Sequence, residues 1–527
     1  MKVLVSDKLG EIGIKKFQEV KGLTVDVKTG LTPDELKGII KDYDALVIRS
    51  ATKVTKEILE SATNLKVVGR AGIGLDNVDI AEATKRGVVV MNTPLGNVVT
   101  TAEHAIAMML SLTRNIPQGT ASLKAGRWDK KLLQGHEIFN KVLGLIGMGK
   151  IGSIVADRAK GLKMKVVVYD PFVTKEQIEK QGFEAVTLDE LYAQSDYITI
   201  HVPKTKETLG LLNKQAFDKM KKGVMVINCA RGGIINEVDL CQALNSGKVA
   251  GAALDVFEIE PPGNDNPLLK LDNVIATPHL GASTKEAQAN VASAVADQIT
   301  DFLVNGTIKN AVNVPSVTGE ILSVLGPYLT LADKMGSLQA QIAKGPINEV
   351  HIEYTGDFKD FDLTPISTAF LKGLLTPAIQ HAVNFVNARS IAEERGIRIT
   401  ESKVSSSEDY VNLFSATVYS QKDKSSVSGT IFGKKDPRIV QINNFRMEMI
   451  PEGHLLIVIN DDMPGAIGSI GMTLGSNNIN IGRMHVGQTI DGKRNIIFIH
   501  TDTPISNEVK EEIEALPLIK NVLTLEL

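Results

Sequence analysis

Cysteine is nearly absent from this chain: Cys229 and Cys241 are the only two in 527 residues, and neither belongs to a CxxC pair. That scarcity excludes a disulfide framework and a cysteine-built structural zinc, and it fits a reducing compartment. Charge of one sign is also lacking. The chain carries 58 basic and 61 acidic residues, a net charge of −3, with no long single-sign block. Nothing therefore points to nucleic acid or a membrane surface. No window approaches about 18 uninterrupted apolar residues, so no spanning helix is expected. The start of the chain reaches polar Ser6 after three apolar residues, too soon for a signal-peptide core. These absences predict a soluble, cytoplasmic protein acting on a small molecule, with no metal site.

What is present is ordinary globular material. Apolar residues make up 43% and charged residues 23%, and the length accommodates three or four domains at roughly 100–200 residues each. Residues 1–95 alternate β-branched runs (Lys2–Ser6, Leu23–Val27, Ala45–Ile48, Leu65–Val68 and Val88–Met91) with helical stretches. Strands that are apolar throughout and separated by helices predict a parallel sheet covered on both faces. A long buried helix is expected from Asn97 to Leu112. Six further strands are expected between Lys141 and Pro278, as a dinucleotide-binding doubly wound sheet requires. Ser283–Val304 reads as a helix opening in a capping box and closing at Asn305-Gly306. Helix then mixed α+β follows to Met449, with polar hairpins over 399–438. Pro451-Glu452-Gly453 marks a boundary, and a turn at Asp491-Gly492 helps complete a terminal βαββαβ unit.

The chemistry begins at Gly144–Gly152, which holds G-x-G-x-x-G at Gly147, Gly149 and Gly152. A strand precedes it, a helix follows, and a second strand ends at Asp170, 18 residues beyond the third glycine. The glycines permit a tight turn and close approach of a pyrophosphate, which the helix N-terminus stabilises. Lys150 and Ile151 place backbone N–H groups there. Asp170 would accept from the ribose hydroxyls and would repel a 2′-phosphate, so NAD is favoured over NADP.

Three groups stand at or just beyond strand ends, where open α/β sheets keep their ligands: Arg231, Glu260 and His279. Oxidising a secondary alcohol needs a base, and a histidine supplies it. A carboxylate such as Glu260 favours and orients the imidazolium, while Arg231 can fork onto a substrate carboxylate and polarise the C2 oxygen.

The stretch from Arg70 to Ala282 resembles the D-isomer-specific 2-hydroxyacid dehydrogenases. The matching segments are Gly69–Asp76, Gly144–Gly152, Asn228–Gly233, Ala253–Pro262 and Pro278–Ser283. The resemblance implies Arg231, Glu260 and His279 as the catalytic set. It implies NAD contacts from Lys150, Ile151, Asp170, Cys229, Ala230, Asp255, Leu280, Gly281 and Ala282. Arg49–Thr55, Asn92–Asn97 and Pro278–Ala287 resemble the phosphoglycerate dehydrogenase branch of that family. A phosphorylated substrate has two anionic ends, so Arg49 and Arg70 are candidates to hold one, with hydrogen bonds from Ser50 and Asn97. In that family the region of Trp128 crosses to a neighbouring subunit, which implies an interface anchor and a homo-oligomer, dimer or tetramer. Asn460–Gly465 with Ile479-Asn-Ile481 resembles an ACT domain, implying L-serine as effector, bound between paired copies by Asn460, Asp462 and Asn480.

The expected architecture is two doubly wound α/β domains, an α+β intervening domain and a ferredoxin-like ACT domain. A flavodoxin-like substrate-binding domain takes 1–97 plus 283–306, and a Rossmann NAD domain 98–282. An intervening regulatory domain takes 310–450 and the ACT domain 453–527. The resemblance implies NAD-dependent oxidation of D-3-phosphoglycerate to 3-phosphooxypyruvate, the first step toward L-serine, as the expected activity. The alternatives are a glyoxylate or hydroxypyruvate reductase and a non-catalytic NAD-sensing protein.

Overall fold

The computed structural model describes residues 1–314, 319–358, 361–379, 383–405, 409–421, 423–488 and 494–527; the turn expected at Asp491-Gly492 lies outside them. The first sheet has the order β2-β1-β3-β4-β5, with β1 (Lys2–Val5), β2 (Thr24–Val27), β3 (Ala45–Ile48), β4 (Val67–Arg70) and β5 (Val89–Met91) all parallel. Every residue of β3 is buried, as a strand covered on both faces requires. The helix Lys285–Asn305 returns to pack Val291, Val295 and Ile299 against Val3, Val5 and Val67. It approaches so closely that a Cβ at Gly69 would lie 2.4 Å from Ile299.

That helix opens one residue later than the expected capping box. Thr284 alone caps it, accepting from the Ala287 backbone; the third helical position is an alanine, so no reciprocal carboxylate exists. Gly306 closes it at φ 68°. Beyond it the chain stays with the first sheet. Val312 donates to Val90 O, and Asn313 Oδ1 accepts from Val90 N at 2.8 Å, so a strap runs antiparallel beside β5.

The second sheet is also wholly parallel, in the order β12-β11-β10-β9-β6-β7-β8. Its strands are β6 (Val142–Ile146), β7 (Lys165–Tyr169), β8 (Glu184–Ala185), β9 (Tyr197–Ile200), β10 (Val224–Asn228), β11 (Val249–Leu254) and β12 (Val274–Ala276). Six were expected; the seventh, β8, has two residues and no periodicity to betray it. The buried helix observed at Val98–Thr113 packs Ala102, Ala105 and Met109 on this sheet.

The third sheet orders β14 (Arg398–Val404), β13 (Ile347–Gly356), β15 (Asn412–Ser420), β16 (Lys424–Phe432), β17 (Asp436–Ile442) and β18 (Phe445–Met449). Helices Gly319–Ile342 and Thr364–Leu375 pack together beside it. A Cβ at Gly336 would fall 2.1 Å from Phe370 O, and one at Gly373 1.9 Å from Asp333 O, so paired glycines set their approach.

The last sheet orders β20 (Ile481–Gln488), β21 (Arg494–Thr501), β19 (His454–Asp461) and β22 (Ile519–Glu526), the ferredoxin-like arrangement. One of its faces, through Leu455, Ile457, Ile496, Phe498 and Leu525, joins the core of the third sheet, although the turn chemistry at Pro451 reads as a clean boundary. The other face is covered by helices Ala466–Ser476 and Asn507–Glu514. The third unit also touches the first: Asn384 Nδ2 donates to Gly87 O at 2.9 Å, and Val386 enters the first sheet's core. Among the described residues no helix is long and apolar enough to cross a membrane.

Candidate active site

A cleft of about 720 Å³ lies between the first two sheets, at the C-terminal ends of their strands. It gathers Arg49, Ser50, Arg70, Asn97, Arg231, Glu260 and His279, residues spread over 230 positions of sequence, together with Gly149, Lys150, Ile151, Cys229, Ala230, Asp255, Gly281 and Ala282. Gly147, Gly152, Asp170 and Leu280 do not line it.

The glycine turn is built as its sterics demand. Gly147 sits at φ 94°, and a Cβ there would lie 2.7 Å from His201 O. A Cβ at Gly152 would fall 2.0 Å from Gly147 O, whereas Gly149 faces open space. The helix Lys150–Gly161 begins with no side-chain cap, so its first N–H groups are available to an anion. These features fit a dinucleotide pyrophosphate. Asp170, at the end of β7, accepts from the backbone N–H of Met148 (2.7 Å), Phe172 (2.8 Å) and Val173 (3.2 Å), so it also shapes the turn from behind. Nearby His201 reaches Thr199 Oγ1 at 3.0 Å, and burial pushes its pKa down to about 4.

His279 Nδ1 stands 2.8 Å from Glu260 Oε2, and Glu260 Oε1 accepts from Phe257 N. Burial pushes the Glu260 carboxyl up, but the hydrogen bond and charge of His279 outweigh it and leave the group below its ordinary range. His279 itself holds φ 54°, a left-handed conformation unusual for a side chain of this size. Asp255 holds it there. The His279 N–H donates to Asp255 O, while the Asp255 carboxylate accepts from Leu280 N (2.7 Å), Gly281 N (2.9 Å) and Thr277 Oγ1 (2.6 Å). His104 Nε2 lies 3.1 Å from the same carboxylate. Burial pushes Asp255 up, and His104, Thr277 and Leu280 together bring it below its ordinary value. The sequence marked Asp255 only as a cofactor contact; here it also organises the histidine loop. His104 was missed because it lies mid-helix among core residues and carries no local signal.

The first sheet contributes cations. Asp7, at the end of β1, accepts from Arg49 N (2.6 Å) and Thr52 N (3.1 Å) and so fixes the loop that presents Arg49 and Ser50. Arg70, the last residue of β4, donates Nε to Arg49 O at 3.2 Å. Burial, then the nearby Arg231 charge, lowers its pKa to about 10, so it remains cationic at neutral pH. Asn97 Oδ1 is buried with no partner among the described residues. Arg231 Nε donates to Asp76 Oδ2 at 3.0 Å. Asp76 lies within a segment that carried the family resemblance, yet no sequence signal gave it a role.

Comparison with known proteins accords with this geometry. The family model for the D-isomer specific 2-hydroxyacid dehydrogenase NAD binding domain matches residues 106–281, that for the D-3-phosphoglycerate dehydrogenase intervening domain 324–443, and that for the ACT domain 454–518. A D-3-phosphoglycerate dehydrogenase of Archaeoglobus fulgidus is 46% identical over 100% of both chains. This chain belongs to the D-3-phosphoglycerate dehydrogenase family. A further member of the family, from Bacillus subtilis, is 44% identical over 100% of this chain and 99% of its own. Among solved structures, an NAD-dependent formate dehydrogenase of Staphylococcus aureus in complex with NAD covers 60% of this chain and 100% of its own at 31% identity, with a TM-score of 0.55. A D-lactate dehydrogenase of Aquifex aeolicus, complexed with NAD and lactic acid, covers the same shares at 29% identity and 0.54. Like its family, the chain is an NAD-dependent oxidoreductase.

The ACT residues are not brought together within one chain. The register pairs Asn460 with Asn495 at one end of the sheet, and His454 and Ile481 with Thr501 at the other. Asn480 therefore lies about 20 Å from Asn460 and Asp462 along the strands. Asn460 is buried with Oδ1 unpartnered among the described residues, Asp462 accepts from Asn495 Nδ2, and Asn480 N donates to Asp502.

Proposed function

We propose that the protein oxidises D-3-phosphoglycerate to 3-phosphooxypyruvate in the cytoplasm, the first step of L-serine biosynthesis. The observation that carries the reading is a Glu260–His279 pair at 2.8 Å sharing one cleft with three arginines. NAD, when bound along the glycine turn, supplies the hydride acceptor. Arg231 grips the substrate carboxylate and polarises the C2 oxygen. His279 removes the C2 hydroxyl proton on the ring nitrogen that Glu260 does not occupy, and Glu260 stabilises the charge that develops. Arg49 and Arg70 hold the phosphate, with hydrogen bonds donated by Ser50 and by the Asn97 amide N–H. Asp170 holds the adenosine ribose. The test follows NADH absorbance with NAD and D-3-phosphoglycerate. We expect turnover that His279→Ala abolishes. Turnover of glyoxylate or hydroxypyruvate with none of D-3-phosphoglycerate would overturn the reading.

L-Serine is the proposed effector, and it requires a homo-oligomer. Because Asn460 and Asp462 stand at the opposite sheet end from Asn480, one ligand can meet all three only across two copies. Trp128, 81% exposed, and Leu132, 83% exposed, are unsatisfied apolar surface that a neighbouring subunit of a dimer or tetramer would bury.

A further inference from the structure

Arg231 and Asp76 come from different sheets. Arg231 follows β10, and Asp76 sits in the loop between β4 and the helix Ile80–Lys85. Their ion pair of 3.0 Å therefore crosses the mouth of the cleft. An exposed ion pair between two flexible side chains contributes little. Here the arginine is held at further points. Its Nη1 donates to Ala230 O at 2.7 Å, and its Nη2 lies directly over Gly74, where a Cβ would come within 1.8 Å. A side chain at that position, two residues before the carboxylate that orients the guanidinium, would push the guanidinium aside. Of the five N–H donors of Arg231, Asp76 and Ala230 occupy two; the other three have no partner among the described residues.

The charge pattern points the same way. Arg49, Arg70 and Arg231 share the cleft, and the charges of Arg231 and Arg49 raise the cost of charging Arg70. Asp76 is the carboxylate that bonds this cluster: neither Arg49 nor Arg70 forms an ion pair among the described residues, and Asp76 pairs with Arg231 and, ahead of Asp7, favours the charge on Arg70.

We propose that Asp76 is a positioning residue. It reaches from the substrate-binding sheet to aim the catalytic arginine of the NAD-binding sheet, so the arginine is oriented only while the two units face each other across the cleft. This deepens the proposed function and rests on that reading. Two effects of Asp76 on an anionic substrate oppose each other. Its negative charge weakens ground-state binding, while its hydrogen bond fixes the fork that the transition state needs.

The test compares full-length wild type with Asp76→Asn and Asp76→Glu, counting sites by NADH fluorescence titration. For Asp76→Asn we expect kcat per NADH site to fall about ten- to hundredfold, while KM for D-3-phosphoglycerate stays level or falls severalfold. Loss of folded enzyme lowers the site count and leaves kcat per site and KM alone, so a lower kcat per site with no rise in KM marks the positioning role. Asp76→Glu, which keeps the charge, should recover most of kcat. A kcat for Asp76→Asn within about twofold of wild type, or a KM that rises, overturns the proposal. Should wild type fail to turn over D-3-phosphoglycerate, the proposed function falls, and thermal protection by inorganic phosphate decides the positioning role separately. Half-protection at a severalfold lower phosphate concentration in Asp76→Asn, but not in Asp76→Glu, supports it; equal protection in all three overturns it.

Discussion

Replacing Glu260 by glutamine isolates one atom's charge. The amide keeps the carboxyl's shape, and with its oxygen turned to His279 Nδ1 it still accepts there, giving up only the loop hydrogen bond from Phe257 N. What is lost is the negative charge 2.8 Å from His279 Nδ1. A base about to accept a proton carries no charge of its own, so the loss matters little before that step. In the transition state of the proposed step the imidazole takes the hydroxyl proton, and the new positive charge sits about 4 Å from the centre of the carboxylate. At an effective dielectric near 20 that attraction is about 4 kcal/mol. The side chains are 46% and 38% exposed, however, and water screens the pair to about 1–2 kcal/mol. The effect belongs to the transition state alone, so it falls on kcat and not on KM. Steady-state NADH formation with D-3-phosphoglycerate should show kcat lowered about 5- to 30-fold, with KM within about twofold of wild type. A rise in KM with kcat intact would refute the reasoning, because it would place Glu260 against the substrate and not behind the histidine.

Other perturbations separate the remaining roles. Arg70→Gln should raise KM for D-3-phosphoglycerate by about tenfold or more and that for D-glycerate far less; equal increases would remove Arg70 from the phosphate end. His201, ordinarily near 6.5 and held near 4 in the fold, is neutral in both folded and unfolded states above pH 6.5, and the unfolded chain gains its proton first as the pH falls. Folding should lose at most about 2 kcal/mol from this group by pH 5, regaining it as the pH rises through 6.5. Urea unfolding of wild type against His201→Gln at both ends of that range measures it, and a pH-independent difference would count against it. Asn460→Ala should abolish the heat of L-serine binding in titration calorimetry while NAD binding persists; undiminished heat would take Asn460 out of the effector site.

The parts of the site legible in the sequence are those governed by local rules. Gly147 and Gly152 were readable because backbone sterics alone require glycine where a Cβ would fall 2.7 or 2.0 Å from a carbonyl oxygen. Arg231, Glu260 and His279 were readable because chemistry-bearing side chains at strand ends are exceptional in an apolar pattern. Asp76 was not, since its partner lies 155 residues away and the two meet only when separate sheets face each other. His104 escaped for a related reason: its acceptor, Asp255, follows a strand of another segment. Local rules also misled. Pro451-Glu452-Gly453 signals a turn, but it carries no information on whether the sheets on either side share a core. The capping box read at Ser283 slipped by one position, which was enough to place an alanine where a carboxylate was needed.

The shared core of the last two sheets has a mechanical consequence. Leu455, Ile457, Ile496, Phe498 and Leu525 interlock with the buried residues beneath the third sheet, so the terminal module cannot swivel on its neighbour without opening apolar surface to water. The two sheets thus make one lever. The lever bears on the catalytic half at a fulcrum around Gly87, where Asn384 hydrogen-bonds the turn that feeds β5. From β5 the chain runs on within six residues to Asn97 at the wall of the cleft.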